Sequence, residues 1–157
     1  MIFVTLGSQK FQFNRLLRAV DEQIEKCVIT EEVFAQTGYS DYKPKNYCYK
    51  EFLDREEFAA VMEKSDIVIT HGGTGAIIGA VKNGKKVIAV PRLAKYGEHV
   101  DNHQLQLVEQ FKELELIYAC NDLDLEKALN VANSTIYKEY VSNTQRIIES
   151  LEEFIEG

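Results

Sequence analysis

Tryptophan is absent from this 157-residue chain, proline and methionine occur twice each, and cysteine three times. Cys27, Cys48 and Cys120 are odd in number and widely spaced. That excludes a disulfide frame or a cysteine zinc site and fits buried or free thiols in a reducing compartment. Long apolar runs are missing too. The longest uncharged run, Ile67 to Val81, has 15 residues including His71 and four glycines, short of the ~20 apolar residues a membrane span needs. The apolar start Met1-Ile2-Phe3-Val4-Thr5-Leu6-Gly7 has neither a basic lead nor a cleavage site, so it reads as a first strand and not a signal peptide. A cytoplasmic, soluble chain is expected.

A basic stripe is lacking as well. Residues 109–157 carry 11 acidic against 4 basic side chains, which accounts for the whole formal charge of −7. Nucleic-acid binding is therefore not expected, and the acidic tail reads as solvated helix faces. No Gly-x-x-x-x-Gly-Lys-Ser/Thr loop is present, which excludes a P-loop ATPase. Ser8 has no glycine-elbow context and no cysteine neighbours a histidine, so nucleophilic catalysis finds little support. Repeats and long linkers are also missing. With 45% hydrophobic residues, eight Phe and eight Tyr, the chain should fold as one domain over residues 1–157.

The pattern along the chain predicts strands at Ile2–Leu6, Glu32–Gln36, Tyr47–Lys50, Ile67–Thr70, Val87–Val90 and Leu116–Tyr118. Helices are predicted at Asn14–Cys27, Asp54–Lys64, Thr74–Lys82, Asp101–Phe111, Asp122–Val131 and Thr135–Phe154. Asp54 has the position of an N-cap, with Glu57 completing a capping-box pattern. Asn83-Gly84 reads as a C-cap. Near-continuous Val/Ile strands alternating with helices imply an α/β, doubly wound, mostly parallel sheet of about six strands, a Rossmann-like fold.

All three histidines and six of the nine glycines fall between His71 and His103. A strand enters Thr70-His71-Gly72-Gly73-Thr74-Gly75 and a helix leaves it. Such a junction places bare backbone N–H groups and the positive end of a helix at one point, which suits a phosphate. Ligands of such sheets bind at the carboxyl ends of the strands. Three loops should project there: Gly7-Ser8-Gln9, His71–Gly75 and Arg92–Asn102. His71 is expected to face a phosphate as a donor, and Gly79 to permit close helix–strand packing. Gly73 to Gly79 also reads as a variant dinucleotide fingerprint, but one placed after the fourth strand, which leaves a nicotinamide-dependent oxidoreductase as the rival reading. His99 and His103 share a face if their helix begins by His99; no zincin glutamate accompanies them, and no metal is expected. Asp122-Leu123-Asp124 reads as helix capping.

In combination these segments are more specific. Asp66-Ile-Val-Ile-Thr-His-Gly-Gly-Thr-Gly, Asn83-Gly-Lys-Lys-Val-Ile-Ala-Val-Pro91 and Glu98-His-Val-Asp-Asn-His-Gln104 resemble the C-terminal, donor-binding half of family 28 glycosyltransferases. Gln36-Thr37-Gly38 and Phe52-Leu53-Asp54 match earlier landmarks of that family, so the resemblance covers nearly the whole chain. It implies half of a GT-B fold, with the acceptor-binding half missing, as in split transferases whose small cytosolic donor subunit works with a membrane-anchored acceptor subunit. The eukaryotic pair acting on dolichol-linked sugar is one case. The wording of Val90 to Gln104 is closer to bacterial capsular and exopolysaccharide subunits of the β-1,4-galactosyl- or glucuronosyltransferase type.

The resemblance implies a donor-binding catalytic subunit of an inverting transferase, moving sugar from a UDP-sugar to a polyprenyl-diphosphate-linked acceptor. No cofactor is then needed. The subunit would be peripheral at the inner face of the membrane through its partner, which would hold part or all of the catalytic base. Gly7 and Ser8 would face the diphosphate, and Phe52 and Leu53 would present backbone to the uracil. His71, Gly72, Gly73, Thr74 and Gly75 would bind phosphate, with His71 as a cationic or donor histidine for the leaving group. Glu98, His99, Asp101, Asn102, His103 and Gln104 would approach the sugar. The family often has a glutamate for the ribose where this chain has Gly79. Partner contacts are expected from the loops above the sheet and from the apolar stripe Ile147, Ile148, Leu151, Phe154 and Ile155. A non-catalytic binding subunit and a homodimer of the isolated chain remain open.

Overall fold

The computed structural model describes residues 1–139. Its elements are β1 (Ile2–Thr5), α1 (Asn14–Glu25), β2 (Val33–Gln36), β3 (Cys48–Lys50), α2 (Arg55–Lys64) and β4 (Ile67–His71), then α3 (Thr74–Lys82), β5 (Lys86–Val90), α4 (His103–Glu113), β6 (Tyr118–Ala119) and α5 (Leu125–Ser134). A short 3₁₀ turn, Ala94–Tyr96, interrupts the β5–α4 loop. The six strands form one sheet in the order β3-β2-β1-β4-β5-β6, and every pairing is parallel.

Residue alternation explains why both faces are covered. Ile2 and Val4 of β1, Ile67 and Ile69 of β4, and Ile88 and Val90 of β5 point to one side. They pack there with Leu16, Leu17 and Val20 of α1 and Leu125, Ala128 and Leu129 of α5. The intervening Phe3, Val68, Val87 and Ala89 point to the other side, against Met62 of α2, Ile77 and Val81 of α3, and Val108 and Phe111 of α4. With no polar face left on the central strands, their sequences read as unbroken apolar runs.

Local signals set several helix ends as expected. Asp54 caps α2 by accepting from the Glu57 N–H at 2.8 Å, although the Glu57 carboxylate turns to Lys50 instead of closing the box. Helix α3 ends at Lys82, followed by Gly84 in the left-handed region. Asp124 caps α5 by accepting from Lys127 N, in line with the capping role read for Asp122 to Asp124.

Other boundaries moved for identifiable reasons. Helix α1 stops at Glu25 because Cys27 is left-handed at φ 61, and α5 starts late because Leu123 is left-handed at φ 60. Strand β6 begins at Tyr118, not Leu116: Glu115 is left-handed at φ 60, and Leu116 N still donates back to Phe111 O at 3.3 Å. Residues 135–138 are not helical, contrary to expectation, and the rest of the helix predicted to Phe154, with its apolar stripe, lies outside the described residues. Among the described residues no helix is long and apolar enough to cross a membrane.

Candidate functional site

Strands β2 and β3 lie on one side of β1, and β4, β5 and β6 on the other, so the topology switches between β1 and β4. Ligands of open parallel sheets bind outside the carboxyl ends of the strands at such a switch. A cleft of ≈ 350 Å³ opens there. Its lining comes from the turn after β1 (Gly7, Ser8, Gln9), the β4–α3 junction (His71, Gly73, Thr74, Gly75, Ala76) and the segment that leads into α4 (His99, His103, Gln104, Leu107). The three predicted loops therefore converge. A larger hollow of ≈ 610 Å³ sits at the opposite, amino end of the sheet, bounded by residues 81–86 and by 135–139 at the limit of the described chain. No carboxyl-end loop reaches it.

Helix α3 opens onto the cleft without a cap. Its N-cap is Gly73, no side chain among the described residues caps its first N–H groups, and no acidic residue occupies its first turn. Those donors and the helix dipole are thus free to face an anion. The Thr74 hydroxyl is buried and has no hydrogen-bond partner among the described residues. Such an orphan costs roughly 1–3 kcal/mol unless something fills it. Among the described residues no Lys, Arg, Asp or Glu lines the cleft, so an anion meets no like charge from them.

The His71 ring lies against two glycine turns. A Cβ on Gly7 would come within 2.5 Å of His71 Nε2, and one on Gly73 within 2.3 Å of Cε1. Gly7 is also left-handed at φ +72, so glycine is required there twice over. His71 is only 4% exposed. Burial pushes its imidazole down to about 3; the Arg92 charge acts in the same direction, and the hydrogen bond to Gln104 opposes it. Without a ligand the imidazolium form of His71 is therefore not populated at neutral pH. It is a neutral ring.

Behind the cleft stands a charged wall. Arg92, 1% exposed, donates to the carbonyls of Leu6 at 2.6 Å, Phe11 at 3.0 Å, Gln12 at 3.3 Å and Glu98 at 3.2 Å. It thus ties the β1 turn to the β5–α4 loop, with Phe13 beneath its guanidinium at 5.1 Å. Burial lowers Arg92 to about 10, and Glu98 offsets part of this, so the charge persists at neutral pH. Gln104 joins the remaining pieces. Its Oε1 accepts from Gly72 N and Arg92 N, both at 3.0 Å, and its Nε2 lies 3.1 Å from His71 Nδ1.

The structure gathers Gly7, Ser8, His71, Gly73, Thr74, Gly75, His99, His103 and Gln104 around one cleft. It does not bring in the others. Glu98 is fully buried and grips Arg15 through both carboxylate oxygens, at 3.0 and 3.1 Å, while accepting from Leu93 N. It is a loop clamp and lies outside the cleft lining. Gly72 spends its N–H on Gln104, and a Cβ there would strike Val108 of α4 at 2.8 Å. Asn102 closes its own loop onto Ala94 N.

Phe52 and Leu53 lie at the β3 end, away from the cleft lining. Phe52 packs edge-on against Tyr39, and the Leu53 N–H is taken by Gln36 Oε1. Since α4 begins at His103, His99 does not share its face; the two histidines meet instead at Asp101, 3.1 and 3.4 Å from its carboxylate. Asp101 itself points to them and lies outside the lining. Gly79 has open space where a Cβ would go, so close packing is not its reason. Arg15 and Arg92 were missed because each read as an isolated charge. The one local signal was an arginine set directly after a buried strand and Pro91.

Known proteins resemble this chain in sequence and in fold. Over 117 residues the chain is 27% identical to a UDP-N-acetylglucosamine--N-acetylmuramyl-(pentapeptide) pyrophosphoryl-undecaprenol N-acetylglucosamine transferase of Borreliella burgdorferi, covering 74% of this chain and 30% of that protein. Over 61 residues it is 39% identical to the UDP-N-acetylglucosamine transferase subunit ALG13 of Candida glabrata, covering 39% of this chain and 29% of that one. The chain thus spans under a third of the length of these two relatives. An NMR solution structure of ALG13 superposes with a TM-score of 0.64 at 20% identity, covering 96% of this chain and 93% of that one. The crystal structure of Acinetobacter baumannii MurG gives 0.59 at 14% identity, covering 96% and 49%. These likenesses establish the fold, half of the GT-B type. The model of the glycosyltransferase family 28 C-terminal domain matches residues 1–156, a span that holds both glycine turns, His71 and the segment leading into α4, and the chain belongs to that family.

Proposed function

We propose that this chain is the donor-binding, catalytic part of an inverting glycosyltransferase that uses a UDP-sugar. The observation that carries the reading is the uncapped N-terminus of α3, with the unpartnered Thr74 hydroxyl beside it, opening onto the cleft that holds Gly7 and His71. The diphosphate sits between these groups. As the sugar leaves, charge develops on the β-phosphate, and donors fixed before the reaction stabilise it without reorganising. The sugar lies toward His99, His103 and Gln104. Ribose contacts come from groups other than Gly79, which offers no side chain.

The acceptor is a polyprenyl-diphosphate-linked saccharide, in keeping with the pyrophosphoryl-undecaprenol substrate in the name of the Borreliella relative. A membrane-anchored partner supplies the acceptor site and the base that deprotonates the attacking hydroxyl, and holds this chain at the inner face of the membrane. The word subunit in the name of the Candida relative supports such a division. Capsule or exopolysaccharide synthesis is the setting, and no metal takes part in the mechanism.

Thermal denaturation with UDP, a UDP-sugar or NADP tests the ligand. UDP and the UDP-sugar should raise the midpoint, and NADP should not. A shift with NADP alone returns the chain to the nicotinamide reading. Reconstitution with the partner tests catalysis: His71→Ala should lower transfer at least ~10²-fold, the usual effect of losing one such donor. Unchanged transfer makes this chain a binding subunit only.

A further inference from the structure

Gln104 makes three polar contacts, and one orientation of its carboxamide satisfies them all. The backbone N–H groups of Gly72 and Arg92 both point at one terminal atom from 3.0 Å. Backbone N–H groups only donate, so that atom is the oxygen. The amide nitrogen therefore faces His71 Nδ1, at 3.1 Å. An amide NH2 only donates, so Nδ1 accepts with its lone pair and carries no proton. The buried ring is neutral at neutral pH, and its single proton is left on Nε2. That atom faces the glycine turns, where a Cβ on Gly7 or Gly73 would come within 2.5 or 2.7 Å of it.

We infer that Gln104 is a positioning residue that locks His71 as the Nε2–H tautomer, a fixed neutral donor at the phosphate turn. The opposite tautomer would turn a lone pair toward a phosphate oxygen. The lock also removes His71 as a general base, because its one free lone pair is occupied by the amide. Among the described residues the charged and titratable groups around the ring do not compete for Nδ1. Arg92 is bound to carbonyls, Glu98 is paired with Arg15, and His99 and His103 both turn to Asp101. The identity of the phosphate ligand rests on the function proposed above; the tautomer does not.

Nitrogen-15 NMR of the histidine rings in the ligand-free full-length chain reads the lock directly. His71 should show a protonated Nε2 and a bare Nδ1, with no titration between pH 8 and pH 5. A proton on Nδ1, or a midpoint near the ordinary histidine value, overturns the inference. Gln104→Glu keeps the size and the acceptor for Gly72 and Arg92, but can no longer donate to Nδ1. In that variant Nδ1 should gain the proton, and UDP affinity at pH 8 should fall at least ~10-fold, the scale of one hydrogen bond to a charged group. The wild-type-to-variant affinity ratio should narrow as the pH falls and the ring takes a second proton. An unchanged ring pattern, or equal UDP affinities at pH 8 and pH 6, refutes the lock. If the variant does not fold, the wild-type ring pattern decides alone. Absence of UDP binding to the wild-type chain defeats the functional reading, and the ring pattern still decides the lock.

Discussion

Gly73→Ala tests whether the glycine turns exist to hold the His71 ring. Gly73 has an ordinary extended backbone, φ −79 and ψ 132, so alanine meets no conformational penalty there. The obstacle is steric. The new methyl would lie 2.3 Å from Cε1 and 2.7 Å from Nε2 of His71. That ring cannot swing aside cheaply, because it is 4% exposed and held by Gln104 at Nδ1. Forcing a methyl into a packed site typically costs ~1–3 kcal/mol, and alanine is also a poorer N-cap than glycine. Gly79→Ala is the control. It sits inside α3 with open space around the added methyl and should gain roughly 0.5–1 kcal/mol of helix propensity.

The two variants should therefore differ by about 2–4 kcal/mol in opposite directions from wild type. Urea denaturation followed by circular dichroism measures this, with a constant slope certifying that stability and not compactness has changed. A double-mutant cycle identifies the ring as the obstacle. In a His71→Ala background the cost of Gly73→Ala should shrink to the small cap contribution, giving a coupling above ~1 kcal/mol. If Gly73→Ala and Gly79→Ala lie within ~0.5 kcal/mol of each other, or the cycle shows no coupling, the ring does not occupy that slot.

Lowering the pH tests the buried neutral ring. The folded value of His71 lies near 3, below the ordinary 6.5, so the unfolded chain takes up the proton first. Stability from this group is complete above pH 6.5 and is lost as the pH falls toward 3, by at most ~1.4 kcal/mol per unit. Asp41, Asp54 and Asp101, whose values are lowered from 3.8, act only at lower pH, so a weaker slope in His71→Asn between pH 6 and 4.5 isolates the histidine. Thr74→Val should leave stability unchanged or raised, because it removes an unpartnered buried hydroxyl, while UDP affinity by calorimetry falls roughly 10-fold; equal affinity removes Thr74 from the site. Glu98→Gln leaves Arg15 without its charge partner and should cost about 3–5 kcal/mol in urea melts, the scale of a broken buried pair. A near-neutral result would return Glu98 to the cleft.

Much of the fold was legible because its signals are local. The apolar runs of β1, β4 and β5 declare strands buried on both faces, and Asp54 and Gly84 declare helix ends. Cys27 and Leu123 adopt left-handed backbone without being glycine, and no residue-type rule announces that. The core of the site was legible for the same local reason: a strand, a glycine cluster and a helix start fall within ten residues of one another. What sequence could not assign was direction. Glu98, Asn102 and Gln104 belong to one polar segment, yet one is buried on Arg15 83 positions away, one closes its own loop, and one bridges to Gly72 32 positions away. Such choices are made by tertiary partners.

Those partners also bear on how a cleft with no lysine or arginine among its described lining residues would hold the diphosphate proposed for it. The positive charge stands one layer back, in Arg92, where carbonyls from the β1 turn and the β5–α4 loop fix the guanidinium. Glu98 is occupied with Arg15, so among the described residues two guanidinium groups face a single carboxylate and leave the wall net positive. Charge held in a buried position is screened less than a flexible surface lysine. It also loses no side-chain entropy when ligand arrives. In front of it the cleft presents backbone N–H groups, the Thr74 hydroxyl and the His71 ring, all neutral and all set by packing. Direct contact by neutral donors and a field from a buried cation are separable tasks, and assigning them to different layers lets the turns stay as tight as Gly7 and Gly73 require.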